Sequence, residues 1–436
     1  MPKNNKVCVV GLGYVGIPTA CAIANAGFKT IGVDIKSDVV KKINIGESPL
    51  SEQEIENSIK ELVESRMLSA TEDIETAVTS SDVIFICVQT PLLDGKSDLR
   101  YLKNATKSVA KYLQKDSLVI LECSVPPKTC EYEILPIFDS VGFRDGYDFY
   151  FAYLPERLSP GASLSEFTLN DRVVGVDNEK SRDISLKFMK SIIKGEIHIT
   201  TIRTAETAKL VENTSRDVYI AFANELSKIC TIIGVDVDKV IALSNTHPRV
   251  KILNPGPGVG GPCLTKDSLF LIDKIKNEDV GIIIRQARLL NNNMYKDVIS
   301  LIKKGLGKRI SSSKVAVFGT SYKAEVDDTR NSPSEDVIRV LIEEGVDVVA
   351  YDPYTKESFG AKKAESFEEA IRNADCAVFL VAHDSFRKRL ENRDFIELMN
   401  SNPVIVDTVR VFSIQNPSVQ DKKWGEYKFL KLGGVY

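Results

Sequence analysis

The sequence predicts an α/β protein in which two doubly wound parallel-sheet domains flank a central domain of long helices. Three observations carry this reading. A glycine-rich turn between an apolar run and a helical pattern opens the chain, one long helical pattern fills residues 204–234, and strand logic restarts at Lys314. At 436 residues the chain exceeds what one hydrophobic core holds, so domains are expected over 1–200, 201–305 and 306–436.

The first element is the apolar run Lys6–Val10, followed by Gly11-Leu12-Gly13-Tyr14-Val15-Gly16 and a helical pattern over 17–26. A second apolar run, Lys29–Val33, ends in Asp34. Strand, glycine turn, helix, strand and acid at about 20 residues' spacing describe a dinucleotide site. Gly11 permits the turn, Gly13 admits the pyrophosphate, Gly16 lets helix pack on strand, and the helix start faces the phosphates. Asp34 would accept hydrogen bonds from the adenosine ribose and repel a 2′-phosphate, which favours NAD over NADP.

Residues 82–88 and 117–121 read as buried parallel strands, each closing on a polar turn. Ligands in such sheets bind beyond the strands' carboxyl ends, which makes Thr90 and Ser124 candidate contacts; otherwise they are turn hydroxyls. The strand-like run 149–154 closes on Pro155-Glu156-Arg157, where the Glu156 carboxylate is placed to act as a general base.

Along the pattern at 204–234, Lys209 and Asn213 are an i, i+4 pair and share a face. An exposed lysine is the ordinary reading; the surrounding Ala, Ile and Val leave a pocket-facing pair as the alternative. The run Gly256-Pro257-Gly258-Val259-Gly260-Gly261-Pro262 then forces a loop that lets a ligand come close, ending in Cys263, Lys266 and Asp267. A thiol is a nucleophile as thiolate, and Lys266 with a helix starting near Asp267 would lower its pKa. A second long helical pattern spans 280–304, and a helical centre of this length suggests a dimer surface.

A Gly, Ser and Lys stretch at 305–313 marks a boundary. Strands follow at Lys314–Phe318, 346–350, 376–381 and, last, 404–406, with helices over 333–344 and around Glu368 to Ala370. This second βαβ domain lacks the glycine fingerprint. Lys323, Arg330 and Arg410 lie at or after its strand ends, as surface charges or as a cationic cradle for a diphosphate.

Net charge of −3 and the lack of a basic run argue against nucleic acid as partner. No stretch suits a membrane span or a signal peptide, so a cytoplasmic location is expected. Eight scattered cysteines without C-x-x-C, and three histidines, give no metal-ligand spacing.

Taken together, these motifs resemble the nucleotide-sugar 6-dehydrogenases of the UDP-glucose and UDP-N-acetylhexosamine group, over nearly the whole chain. The matches are the Gly11 to Gly16 turn, Ser124-Val125-Pro126-Pro127, Pro155-Glu156-Arg157, Ala208-Lys209-Leu210-Val211-Glu212-Asn213, the Cys263 loop, and Asp328-Thr329-Arg330-Asn331-Ser332-Pro333. The resemblance implies two Rossmann-like domains, binding NAD (1–200) and the UDP-sugar (306–436), joined by a helical dimerisation domain (201–305) that carries the cysteine loop. A homodimer, possibly a higher oligomer, is implied.

It also implies a four-electron oxidation of the sugar's C6 alcohol to an acid, reducing two NAD+. Cys263 matches the nucleophile that captures the aldehyde as a thiohemiacetal and then carries the thioester. Lys209 and Asn213 match the pair that holds the sugar oxyanion, and Asp267 and Glu156 match carboxylates that move protons and activate water. Ser124 stands where the family commonly has Thr, with its water-binding role. Gly11, Gly13, Tyr14, Val15, Gly16, Asp34, Thr90, Ser124, Lys266 and Arg330 match the cofactor side. Glu156, Arg157, Lys209, Asn213, Gly260, Lys323 and Arg410 match the substrate side, and Arg249 resembles an arginine that enters the neighbouring subunit's site.

Pro155-Glu156-Arg157, Asn170-Asp171-Arg172-Val173-Val174-Gly175 and the opening of the Cys263 loop resemble the N-acetylmannosamine type. The Lys266-Asp267 pair resembles the glucose branch, so UDP-N-acetylglucosamine and UDP-glucose remain alternatives. A one-step hydroxyacid-type dehydrogenase and a non-catalytic nucleotide-sugar sensor are the competing classes.

Overall fold

A computed structural model describes residues 5–50, 52–158, 161–277, 279–391, 394–412 and 427–435. Residues 1–4, part of the N-terminal stretch in which no signal peptide is expected, lie outside the described residues. The chain forms two compact units: Met1–Glu212 with Leu269–Lys276, and Asn213–Ser268 with Asn277–Tyr436.

The first unit is built on strands β1 (Lys6–Val10), β2 (Lys29–Val33), β3 (Leu68–Thr71), β4 (Val83–Ile86), β5 (Leu118–Leu121), β6 (Tyr150–Tyr153), β7 (Arg172–Gly175) and β8 (Ile197–Thr200). They lie in the order β8-β7-β6-β5-β4-β1-β2-β3, parallel except where β6 meets β7 at Tyr153 and Gly175. The central strands are fully buried, which is why they read as unbroken apolar runs instead of alternating ones. Helix α1 (Gly16–Asn25) is buried along nearly its whole length. Strand order reverses between β1 and β4, so the turns after β1, β4 and β5 gather at one edge of the sheet.

The second unit carries most of helix α2 (Ile202–Ile233), the part of α3 (Leu264–Ile272) up to Ser268, and α4 (Ile282–Leu306). Its sheet consists of β9 (Lys314–Phe318), β10 (Asp347–Tyr351), β11 (Lys362–Lys363), β12 (Cys376–Phe379), β13 (Val404–Asp407) and β14 (Lys428–Lys431). The order is β11-β10-β9-β12-β13-β14, parallel throughout. Its glycine turn is a working copy of the first. Gly319 at φ +96° donates its N–H to Tyr351 O at 2.9 Å, as Gly11 at φ +95° donates to Val33 O at 2.8 Å. Asp352 then accepts the Thr320 and Ser321 amides in the way Asp34 accepts Leu12.

Two expectations need correction. The strand at 404–406 is not the last, because β14 follows it and pairs along β13. β14 has the sequence Lys-Phe-Leu-Lys, whose terminal lysines suit an edge strand and hide the apolar signal. Helix α3 opens at Leu264, not near Asp267, and this moves Cys263 to its N-cap position.

Candidate active site

The sterics of the first turn fall on particular atoms. A Cβ on Gly16 would sit 1.8 Å from Gly11 O, and one on Gly11 would sit 2.6 Å from Cys87 O. Gly13 is different: a Cβ there meets nothing within 4 Å, so its smallness serves no neighbour inside the protein. Asp34 takes the Leu12 N–H at 2.8 Å and the Lys36 N–H at 2.9 Å, which ties the turn to the end of β2. No side chain caps α1, leaving its positive end turned toward the exposed Gly13 and Tyr14.

Cys263 precedes α3, and its carbonyl accepts the amides of Lys266 (3.1 Å) and Asp267 (2.9 Å). A thiol at this position feels the helix's positive end, which favours thiolate. It is half-buried, whereas the other cysteines are buried, and burial pushes the Cys8 and Cys21 thiols up to about 12. Asp267, fully buried, accepts a hydrogen bond from Asn213 Nδ2 at 2.6 Å. The amide on α2 and the cysteine helix are therefore fixed to each other.

The loop before Cys263 is anchored from two sides. Gly256 N–H donates to Asn224 Oδ1 at 2.8 Å, and Gly261 N–H donates to Arg330 O at 3.0 Å. Asn224 belongs to a buried chain: its Nδ2 donates to Asn291, which donates to Asp217, which also accepts Arg288 at 2.6 Å. A Cβ on Gly260 would fall 2.7 Å from Asn331 O and 2.8 Å from the Tyr322 side chain. Several of the loop's glycines are thus required by close packing of this unit on itself.

One turn before Asn213 on α2, Lys209 is buried, with its ammonium 3.8 Å from a Glu156 oxygen. Glu156 is buried too, and its other oxygen accepts the Leu158 amide. Glu206, further up the same helix, accepts the Lys128 and Cys130 amides and so holds the segment after Ser124 in place. Thr90 Oγ1 donates to Ser124 O at 2.7 Å, joining the turns after β4 and β5.

Known proteins match this arrangement along the chain. The NAD binding domain of the UDP-glucose/GDP-mannose dehydrogenase family matches residues 5–194, its central domain 203–293 and its UDP binding domain 316–414. A Methanococcus vannielii protein named UDP-N-acetyl-D-mannosamine dehydrogenase is 40% identical over 94% of this chain and 94% of its own length. The chain belongs to the UDP-glucose/GDP-mannose dehydrogenase family. The solved UDP-D-ManNAc dehydrogenase of Pyrococcus horikoshii is similar at TM-score 0.90 and 36% identity, covering 98% of this chain and 99% of that one. Cap5O of Staphylococcus aureus, a UDP-N-acetyl-mannosamine dehydrogenase, is similar at TM-score 0.86 and 33% identity, covering 99% and 98%.

Membership in this family makes the chain an NAD-dependent nucleotide-sugar dehydrogenase, an oxidoreductase, and the first turn suits that cofactor. The open space over Gly13, beside an uncapped helix start, fits a pyrophosphate. Asp34→Asn keeps an acceptor for the amides of the turn and removes the charge. It is expected to raise the NADP-to-NAD ratio of kcat/KM about tenfold, or ~1.4 kcal/mol. An unchanged ratio would show that Asp34 only braces the turn.

The remaining residues expected in the dehydrogenase site are placed as follows. Tyr14 is exposed, while Val15, Lys266 and Ser124 are half-buried. Arg157 pairs with Glu212 at 2.7 Å and donates to Asp171 O at 3.1 Å. Arg330 forms a two-point pair with Asp328, and Arg410 is held by Asp238 at 2.6 Å and by Pro255 O at 2.5 Å. Lys323 and Arg249 are exposed. Sequence reasoning missed Glu122, which follows β5 and is fully buried with Arg172 at 3.0 Å. Burial raises the Glu122 carboxyl to about 7 against the opposing pull of Arg172. An acid directly after an all-apolar buried strand was the available signal.

Proposed function

We propose that the enzyme oxidises the C6 alcohol of UDP-N-acetyl-D-mannosamine to the uronate, reducing two NAD+ and consuming one water. The names of the relatives at about 40% identity support this sugar. The observation that carries the covalent route is Cys263 at a helix start, with Asp267 one turn on and bonded to Asn213.

NAD+ bound over Gly11, Gly13, Tyr14, Val15 and Gly16, with Asp34, Thr90, Lys266 and Arg330 as further contacts, would accept one hydride in each of two oxidations. In the first, Lys209 and Asn213 hold the alcohol oxygen as its proton leaves and the aldehyde forms. The Cys263 thiolate adds to the aldehyde carbon, and the oxygen, protonated with help from Asp267, completes the thiohemiacetal. Loss of the second hydride and of that proton leaves the thioester. Glu156 then takes a proton from a water that Ser124 orients, the hydroxide bonds to the carbonyl carbon, and the carbon–sulfur bond breaks to return the thiolate. Covalent capture keeps the half-oxidised sugar aligned between the two oxidations.

Lys323, Arg410, Arg157 and Gly260 are proposed to hold the nucleotide-sugar. The three-part division at 1–200, 201–305 and 306–436 is proposed as the functional one. Helix α2 exposes Val211, Tyr219, Phe222, Ile229 and Ile233 along one side, an apolar stripe that supports a homodimer with Arg249 serving the neighbouring subunit's site. No described helix is long and apolar enough to cross a membrane; a cytoplasmic location is proposed, and the net charge of −3 argues against a nucleic-acid partner.

The test is a panel of UDP-N-acetylmannosamine, UDP-N-acetylglucosamine and UDP-glucose, with NADH counted per sugar consumed. Two NADH with the first sugar, and at least tenfold lower kcat/KM with the others, is the expected result. One NADH with free aldehyde would sink the thioester route, and preference for glucose would shift the substrate.

A further inference from the structure

Arg172 is fully buried, and its burial is not explained by packing alone. Its Nη2 donates to Glu122 Oε1 at 3.0 Å, and its guanidinium carbon lies 4.8 Å from the centre of the Phe167 ring. Its Nε and Nη1 are buried without a hydrogen-bond partner among the described residues. Buried donors left unmatched are costly, and an apolar side chain would fill the same space at lower cost.

Two observations relate this cation to Glu156. The antiparallel contact of β6 and β7 pairs Tyr153 with Gly175. Glu156 follows that contact by three residues, beyond the end of β6, and Arg172 precedes it by three at the start of β7. Glu156 is also the second carboxylate, after Glu122, whose charge acts on the Arg172 guanidinium. On the other side, Glu122 is held by Thr19 Oγ1 at 2.8 Å and by the Cys87 thiol at 3.3 Å, so Arg172 is anchored to α1 and β4. Four buried groups thus make two ion pairs, Glu122 with Arg172 at 3.0 Å and Glu156 with Lys209 at 3.8 Å.

We propose that Arg172 is a positioning residue that takes over the Glu156 carboxylate when Lys209 turns its ammonium to the substrate oxygen. The proposal rests on the reading in which Glu156 activates the hydrolytic water. At 3.8 Å the Lys209–Glu156 pair is loose, and Lys209 cannot balance Glu156 and a sugar oxyanion at once. A buried carboxylate abandoned by its cation is unstable in place and would swing or take up a proton. Arg172, held on its far side by Glu122, keeps two sets of N–H donors for it, directly or through a water. The residue therefore serves the hydrolytic half of the cycle and has no part in hydride loss.

The experiment follows NADH in full-length Arg172→Gln and Arg172→Lys enzymes by rapid mixing and in the steady state. The expected result for Arg172→Gln is a burst of two NADH per active site at close to the native rate. Steady-state kcat then falls about tenfold or more, and the KM for the sugar moves less than threefold. Arg172→Lys is expected to show the same selective loss to a smaller degree. Equal slowing of burst and steady state, or an effect confined to KM or to melting temperature, would overturn the proposal. If Arg172→Gln does not accumulate as folded protein, Arg172→Lys decides by the same criterion, with an unchanged kcat counting against it. Failure of the underlying reading has a separate signature, because the native enzyme itself would then yield one NADH per sugar.

Discussion

Replacing Cys263 by serine is expected to lower production of the sugar acid on the order of 10³-fold or more, the scale seen when a covalent nucleophile is removed. The hydroxyl occupies the same N-cap position, and its oxygen can still accept helix amides, so the fold should tolerate the change. What it lacks is acidity: the start of a helix contributes roughly 0.3–1 kcal/mol to a nearby anion, far short of what ionises an alcohol at neutral pH. Without capture, oxidation stalls at the aldehyde, so NADH should not exceed one per sugar consumed. Lys209 and Asn213 remain, so the UDP-sugar and NAD should bind with dissociation constants within about threefold of native, below 1 kcal/mol. A serine variant that still forms two NADH per sugar at a tenth of the native rate would remove the sulfur from the mechanism. Alkylation of the native enzyme offers an independent check, because Cys263 is half-buried whereas the other cysteines are buried.

What the sequence made legible follows from where each requirement originates. Gly11 and Gly16 answer to clashes within one strand-turn-helix unit and with the adjoining strand, so spacing alone revealed them. Lys209, Asn213 and Cys263 sit on or beside helices whose periodicity is a local property. The glycines of the cysteine loop were legible as a loop, but not in their full reason. Gly260 and Gly261 make room for Tyr322 and Asn331, dozens of residues away, and no local pattern records that contact. Buried charges were the least visible. Glu122 meets Arg172 across 50 positions and Asp217 meets Arg288 across 71, and a charged side chain considered alone reads as surface. The second βαβ domain was legible from its strand runs, but its turn was not, because without the full glycine fingerprint only Gly319 and Asp352 preserve the crossing and the acid.

The Asp217–Arg288 pair supports the second large effect, this one on stability. Asp217 is fully buried and Arg288 nearly so, with 2.6 Å between Oδ1 and Nη1. Burial alone pushes the Asp217 carboxyl up and the Arg288 guanidinium down in pKa, and each partner's charge resists the shift in the other. Asp217→Leu leaves a guanidinium desolvated and unbalanced, for which a loss of about 3–5 kcal/mol is expected in denaturant unfolding. The double change Asp217→Leu with Arg288→Met removes both charges and should recover most of that loss, since apolar replacement of a buried pair is often neutral. The comparison separates a stranded charge from simple mispacking: a double variant no more stable than the single one would mean that volume, not charge, sets the cost. Activity should not recover in parallel. Asn291 donates to Asp217 and accepts from Asn224, and Asn224 holds the Gly256 amide at the entrance to the cysteine loop. With the Asp217 carboxylate gone, Asn291 keeps only the backbone carbonyl of residue 217 as acceptor, so the chain that steadies Asn224 and its hold on the Gly256 amide is weakened. The double variant is therefore expected to fold nearly as well as the native enzyme while remaining at least tenfold slower, which kcat measured on material of confirmed melting temperature would establish.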